Sequence, residues 1–245
     1  MEIDKQPLSI NSNKVGIDLG IRKLITFSDG DWIENPQFLK QNEKRLKKLQ
    51  RSLSRKKKGS KNRNKARILL ARHHSYIARS RNDYLHKQTA KITDENQVII
   101  AENLDVQKMM QQNHNLAKLI SDASWGEITR QLKYKSEWKG RIYHEVDRFF
   151  ASSQICNCCG NQNHKLKSEE FWKCKNCDSF NDRDINAAKN ILQRGLLDLA
   201  GSGNRNPGET QSPKICGDSD NFSFLTETDE PSESTKQEAA DFSRR

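Results

Sequence analysis

Four cysteines form the most distinctive chemical pattern in the sequence: Cys156, Cys159, Cys174 and Cys177. They make two Cys-x2-Cys pairs on either side of a polar loop, and such pairs bind zinc tetrahedrally through four thiolates. Cys158 is an alternative partner for Cys159, but only Cys156 gives the two-residue spacing. His164, in the loop, is a competing ligand. The pattern predicts a structural zinc ribbon over residues 151–181.

Three carboxylates stand at or inside apolar segments. Asp18 interrupts the apolar run Val-Gly-Ile-Asp-Leu-Gly, Glu102 ends Val-Ile-Ile-Ala, and Asp184 opens the last helical segment. A buried charge requires a partner or a metal. Two-metal nucleases hold ions about 3.5–4 Å apart between such carboxylates, and Mg²⁺ binds a few carboxylates while keeping waters. The acids therefore suggest a catalytic Mg²⁺ site.

The elements that would position these acids alternate between strand and helix patterns. Three short apolar segments, the last two joined by an Asp29-Gly30 turn, predict an antiparallel meander at the start of the chain. Helical periodicity then predicts two basic helices that meet near Gly59 and form a hairpin over about residues 38–96.

The second half of the chain continues the alternation. We expect a strand that ends at Glu102, a loop or short helix, a helix over Ser121–Gly140, a strand over Arg141–Val146 and a final helix over Asp184–Leu199. Three antiparallel strands, a helical excursion, another strand and a last helix match a ribonuclease-H-like α/β arrangement. Four aromatic side chains are interpreted mainly as packing residues, with base stacking as the alternative for each: Trp125, Trp138, Phe171 and Trp172.

Charge is concentrated in the predicted helical hairpin. The net charge is +11, and between Lys40 and Lys91 lysine and arginine far outnumber the two acids, Glu43 and Asp83. A basic stripe with helical periodicity favours a polyanion, most often nucleic acid. The candidate nucleic-acid-binding residues are Arg55, Lys56, Lys57, Lys58, Lys61, Arg63, Lys65 and Arg67.

Other features of the sequence indicate where in the cell the protein is located and which part of it is disordered. Neither a membrane-length apolar run nor a secretory signal is visible. Paired cysteines in such a chain favour metal binding in a reducing compartment, here the cytoplasm in association with the nucleoid. Residues 201–245 are acidic and poor in apolar residues, which predicts a disordered tail.

Several motifs together resemble the OrfB/TnpB family of insertion-sequence-encoded, transposase-associated proteins, which is similar to the type V CRISPR effectors. They are VGIDLG, SRKKKGSKNRNKAR, AENL, SDASWGEI, VDRFFASSQICNCCG and DRDINAAKNI. The resemblance covers residues 14–192. It implies a RuvC-type nuclease domain, with a zinc ribbon inserted before its third acid, that cuts DNA under the guidance of an RNA and acts in transposition.

The resemblance also assigns residues and segments. The first and second acids of the family fall on Asp18 and Glu102; the third falls on Asp184 rather than Asp182, because the family acid precedes x-Asn-Ala-Ala. The implied organisation is a first nuclease segment over residues 1–150, the ribbon over 151–181, a final nuclease segment over 182–200 and the tail.

Family members carry a substantial N-terminal half before the first acid, whereas 17 residues precede Asp18 here, so we expect an N-terminally truncated chain. Two functions of other classes stay open. One is a catalytically inactive nucleic-acid-binding remnant or regulator; the other is a zinc-ribbon interaction module. Arg148 and Arg183 lie beside the proposed acids, and the role of Arg183 stays open between binding the nucleic-acid backbone and pairing with an acid.

Overall fold

The structure, a computed structural model, describes residues 7–166 and 169–201. Its centre is a mixed five-stranded sheet in the order β3-β2-β1-β4-β5. The strands are β1 (Lys14–Leu19), β2 (Lys23–Phe27), β3 (Trp32–Glu34), β4 (Val98–Glu102) and β5 (Ile142–Val146). The acidic tail predicted beyond residue 201 lies outside the described residues.

The first three strands form the predicted antiparallel meander, with β1 paired to β2 and β2 to β3. β4 then pairs with β1 in parallel, and β5 pairs with β4 in parallel. Because helices cover both faces, the central strands are continuous apolar runs rather than alternating ones. Val15, Ile17, Ile99 and Ala101 point to one face, and Val98 and Ile100 to the other.

Two basic helices form the predicted hairpin: α1 (Phe38–Ser54) and α2 (Lys61–Glu95). The seam of buried side chains is narrow and includes Leu46, Ala66, His73 and Ile77. The turn is closed locally, since the Ser60 hydroxyl caps α2 by accepting from the Arg63 N–H at 3.2 Å. A narrow seam leaves most of the hairpin surface to lysine and arginine.

The base of the hairpin is fastened to the sheet domain by buried polar contacts. Asp122 accepts hydrogen bonds from the Leu39 N–H (2.9 Å) and from the Arg81 guanidinium (2.8 Å). At the other end of α2, the Lys135 and Lys139 ammonium groups donate to the carbonyl oxygens of its last turns. Both positive charges lie near the C-terminal part of α2, where the helix dipole favours cations.

Three helices follow β4: α3 (Val106–Gln112), α4 (His114–Ala123) and α5 (Trp125–Lys139). The single helix predicted over Ser121–Gly140 is therefore wrong at its start. Ser124 is left-handed, with φ 54°, and separates α4 from α5. This break directs Trp125 inward, where its indole N–H donates to the Gly20 carbonyl at 3.2 Å.

Trp138 does not belong to the core, contrary to the sequence-based interpretation. Its side chain is 47 % exposed and packs edge-on against Tyr134, with ring centroids 4.7 Å apart. It lies one turn after Tyr134, on a different face of α5 from the buried Leu132 and Ser136.

The chain ends, within the described part, in a small ribbon and a helix. The ribbon strands are β6 (Phe171–Lys173) and β7 (Phe180–Asp182), and α6 (Arg183–Leu199) follows directly. Helix α6 packs on the sheet face opposite α2 and α5, against Val98, Ile100 and Val146. None of the helices in the described residues is both long and apolar enough to cross a membrane.

Candidate metal-binding nuclease site and zinc ribbon

Asp18 and Glu102 are brought together by the pairing of β1 with β4. The parallel register aligns Ile17 with Ala101. One residue further along each strand, Asp18 and Glu102 become neighbours, because adjacent strands lie about 4.8 Å apart. Side chains alternate between faces, so both acids point to the face that carries α6.

Gly16 allows α6 to approach β1 closely enough to add the third acid. A Cβ at Gly16 would lie 2.1 Å from the Ala188 carbonyl oxygen, so no larger residue fits without moving the helix. Asp184 precedes Ala188 by about one helical turn and Asp18 follows Gly16 on the same face of the strand. The close helix–strand contact therefore sets Asp184 over Asp18.

Asp182, the alternative third acid, has a different role in the structure. Its carboxylate caps α6 by accepting from the Asp184 N–H (2.9 Å) and the Ile185 N–H (3.1 Å). It also pairs with the Lys23 ammonium at 3.3 Å. These contacts occupy Asp182, whereas Asp184 makes a single ion pair with Arg183 at 3.1 Å.

The neighbouring acids perturb Asp18 electrostatically. Burial raises the pKa of Asp18 well above its usual value, and the Glu102 and Asp184 carboxylates raise it further. Burial also raises the pKa of Glu102, against the opposing effect of a hydrogen bond from Ser152. Carboxylate oxygens are the donors that Mg²⁺ and Mn²⁺ prefer, and a divalent cation beside Asp18 would compensate the charges that raise its pKa.

This clustering predicts a pH effect on stability in buffer free of magnesium and manganese. A carboxyl group whose pKa is higher in the folded than in the unfolded state makes the free energy of unfolding fall as pH rises through that range. Asp18→Asn should therefore weaken the pH dependence and raise the melting temperature at neutral pH, by about 2–4 °C per kcal/mol of relieved repulsion. Thermal melts across mildly acidic to neutral pH measure this, with exposed Asp83→Asn as the unchanged control. An unaltered or lower melting temperature in Asp18→Asn would contradict the clustering.

A chain of hydrogen bonds supports Glu102 from the side of the ribbon. The buried Ser152 hydroxyl donates to Glu102 Oε1 at 2.5 Å. The Ser152 carbonyl in turn accepts from Asn190 Nδ2 of α6 at 2.8 Å. Neither residue was singled out from the sequence. The signal for Asn190 was present, because Asn186 and Asn190 are spaced i, i+4 among the apolar residues of α6.

The four predicted cysteines form one cluster, in which all ligand atoms lie within 4.8 Å of one another. The Cys156–Cys177 and Cys159–Cys174 sulfur distances are 3.7 and 3.6 Å. A tetrahedral ion with Zn–S bonds of about 2.3 Å separates its sulfurs by about 3.8 Å, so the cluster fits zinc. Cys158 and the exposed His164 are not members of it.

The surroundings of the cluster shift the pKa values of two of its thiols in opposite directions. The Ser179 hydroxyl hydrogen-bonds to Cys177 Sγ at 3.2 Å and lowers the pKa of that thiol to about 6. Burial has the opposite effect on Cys174 and raises its pKa to about 11. Trp172 packs against the cluster, as expected, whereas Phe171 is 51 % exposed and stacks on Phe180.

The basic hairpin presents a shallow groove along α1 that was only partly predicted. Its lining includes the predicted Arg55 and Lys56 and also basic residues one to three turns earlier: Lys44, Lys47, Lys48 and Arg51. Of the predicted residues, Arg63 is engaged within the protein, since its guanidinium donates to the Leu53 and Lys56 carbonyls at 3.0 and 3.1 Å. The other seven are exposed.

Known sequence families match both halves of the described chain. Residues 1–113 match the OrfB_IS605 family, described as "Probable transposase". Residues 125–191, which contain α5, the cysteine cluster and about the first half of α6, match the "Cas12f1-like, TNB domain" family.

Individual relatives agree with these matches. A Streptomyces pristinaespiralis protein named "Putative RNA-guided DNA endonuclease" is 44 % identical over 191 residues, covering 78 % of this chain and 47 % of the relative. The Escherichia coli protein of the same description, InsQ, is 35 % identical over 210 residues, 79 % of this chain and 52 % of the relative. The chain thus spans about half the length of these relatives.

Solved structures show the same fold at lower identity. A Cas12f1–sgRNA–target DNA complex matches with a TM-score of 0.53 at 18 % identity, over 76 % of this chain and 51 % of that one. A CRISPR-Cas12f ternary complex matches with a TM-score of 0.54 at 22 % identity, over 78 % and 40 %. The mixed α/β fold is therefore similar to Cas12f1, and with the two family matches the chain is identified as a member of the OrfB/TnpB family.

Proposed function

We propose that the chain is the metal-dependent DNA endonuclease core of a TnpB-like protein. The observation that carries the proposal is the convergence of three carboxylates from three separate elements. Asp18 comes from β1, Glu102 from the end of β4 and Asp184 from the first turn of α6, and the charges of the last two raise the pKa of Asp18. Separate elements that aim like charges at one point are unfavourable for stability unless a cation joins them.

The three carboxylates would hold Mg²⁺. Bound divalent ions supply an activated water and stabilise the leaving oxygen of a phosphodiester. Three other residues position the acids. Gly16 leaves room for α6 to pack closely on β1, Asp182 caps the N-terminus of α6, and Ser152 donates a hydrogen bond to Glu102. Arg183 and Lys23 place two positive charges beside the acids, where a phosphate would approach.

The architecture proposed for this core is ribonuclease-H-like, of the RuvC type. Its support is the strand order β3-β2-β1-β4-β5, with acids at adjacent positions of the two central parallel strands. Residues 151–181 would form a structural zinc ribbon held by Cys156, Cys159, Cys174 and Cys177, and residues 182–200 would complete the core. The helical hairpin over residues 38–96 would be the insert between the first three strands and β4.

DNA and a guide RNA are the proposed partners. The support is the basic groove on α1 and the names of the relatives and structural neighbours, which describe RNA-guided endonucleases and an sgRNA–target DNA complex. Exposed cations spaced along a helix suit a phosphate backbone. The predicted contacts are the seven exposed residues at the turn of the hairpin and four residues of α1. They are Arg55, Lys56, Lys57, Lys58, Lys61, Lys65 and Arg67, with Lys44, Lys47, Lys48 and Arg51.

The direct test is cleavage of single- and double-stranded DNA in Mg²⁺ or Mn²⁺ by the wild type and by Asp18→Ala. We expect metal-dependent cutting that the substitution removes. Activity that survives in Asp18→Ala would refute the assignment. If the wild type binds DNA or RNA in a salt-dependent way but does not cut, the chain is a non-catalytic nucleic-acid-binding protein. If the wild type binds neither DNA nor RNA at low salt, the chain is a zinc-ribbon interaction module with other partners.

A further inference from the structure

Ser152 links the catalytic and zinc regions of the chain. It lies between β5 and the first cysteine of the cluster, and its side chain is almost fully buried, with the residue 5 % exposed. Its hydroxyl contacts Glu102, while its carbonyl is held by Asn190. A residue that precedes the ribbon thus touches an acid on β4 and an amide on α6 at once.

Two buried asparagines extend this link to the first cysteine turn. Asn186 and Asn190 both donate to the Ile155 carbonyl at 2.6 Å. Their carbonyl oxygens accept from Asn157, through its N–H at 2.9 Å and its side-chain amide at 3.1 Å. Ile155 and Asn157 flank Cys156, a proposed zinc ligand. The side-chain amides of α6 therefore form hydrogen bonds with the residues on both sides of that cysteine.

We propose that Ser152 is a positioning residue that sets the orientation of Glu102 for metal binding, and that Asn190 holds Ser152 in place from α6. This inference rests on the proposed metal-dependent function. The hydrogen bonds that join Ser152 to Glu102 and to Asn190 would then set the affinity of the carboxylates for the metal, in addition to packing the ribbon against α6.

The physical reason is the freedom of a glutamate end group. The last torsion of glutamate is broad and is not fixed by the backbone. A short hydrogen bond to one carboxylate oxygen restricts that torsion, and Asn190 keeps the donor from moving. Residues that orient a metal-binding side chain in this way typically change metal affinity about 10–100-fold when they are removed.

The test is the affinity of the zinc-loaded full chain for Mn²⁺, measured by electron paramagnetic resonance of free Mn²⁺. Ser152→Ala and Asn190→Leu should each weaken Mn²⁺ binding about tenfold or more, with zinc content and melting temperature used to confirm the fold. Ser152→Cys, which keeps the shape but offers a weaker donor, should lie between wild type and Ser152→Ala. Ser153→Ala, one residue along, is the matched control and should bind as the wild type does.

Mn²⁺ affinity that is unchanged in folded Ser152→Ala or Asn190→Leu would overturn the inference and leave the proposed nuclease function intact. If Ser152→Ala does not fold, Ser152→Cys decides by the same measure. A wild-type chain that binds no Mn²⁺ would refute the proposed function and this inference with it.

Discussion

Asp184→Asn should reduce metal-dependent DNA cleavage about a thousandfold, while zinc content stays at the wild-type level. Divalent ions at such a site contribute several kcal/mol to the transition state, and each 1.4 kcal/mol is about tenfold in rate. The ribbon does not depend on this side chain, whose described contact is the ion pair with Arg183. Cleavage rates under single-turnover conditions and zinc per chain measure the two effects.

Asp182→Asn is the matched control, two residues away. Asparagine caps helices as well as aspartate does, so the hydrogen bonds to the N–H groups of Asp184 and Ile185 should persist. The variant loses the ion pair with Lys23 and should keep most of its activity. Loss of cleavage in Asp182→Asn, with retention in Asp184→Asn, would show that the third acid is Asp182.

Cys174→Ser should abolish both zinc binding and cleavage. Cys174 is fully buried and packs with Cys156, Leu166 and Trp172, so zinc loss would open the centre of the ribbon. Structural zinc contributes folding free energy directly. An open ribbon would also release Ser152 and the N-terminus of α6, where Asp184 lies. Metal analysis and DNA cleavage assays measure the two losses.

Cys158→Ser provides the control for that prediction. Cys158 is half-buried beside the cluster but does not belong to it. The Cys158→Ser variant should therefore retain both its zinc and its DNA cleavage activity. Wild-type zinc content together with wild-type cleavage in Cys174→Ser would refute the four-thiolate site.

Much of the site could be predicted because the signals are local. Two Cys-x2-Cys turns fix which sulfurs can converge on one ion. An acid within an apolar strand is costly, which identified Asp18 and Glu102. The period of two then places them on one face once β1 and β4 pair in parallel. The helical hairpin followed from periodicity and from the break at Gly59.

The remaining features depend on contacts between distant segments. The break at Ser124 directs Trp125 to a contact with Gly20, more than a hundred residues earlier, which the local helical pattern does not reveal. Trp138 is exposed because it lies with Tyr134 on a different face of α5 from the buried Leu132 and Ser136. Ser152 is one serine among many until the ribbon folds against Glu102. Gly16 became informative only when the position of α6 was known.

The most direct test of the central claim is an anomalous difference map from crystals of the zinc-loaded protein soaked in Mn²⁺. The account predicts manganese density bounded by Asp18, Glu102 and Asp184, and its absence from Asp18→Asn crystals soaked in the same way. Wild-type crystals with no manganese between these three carboxylates, while manganese binds elsewhere on the chain, would contradict it.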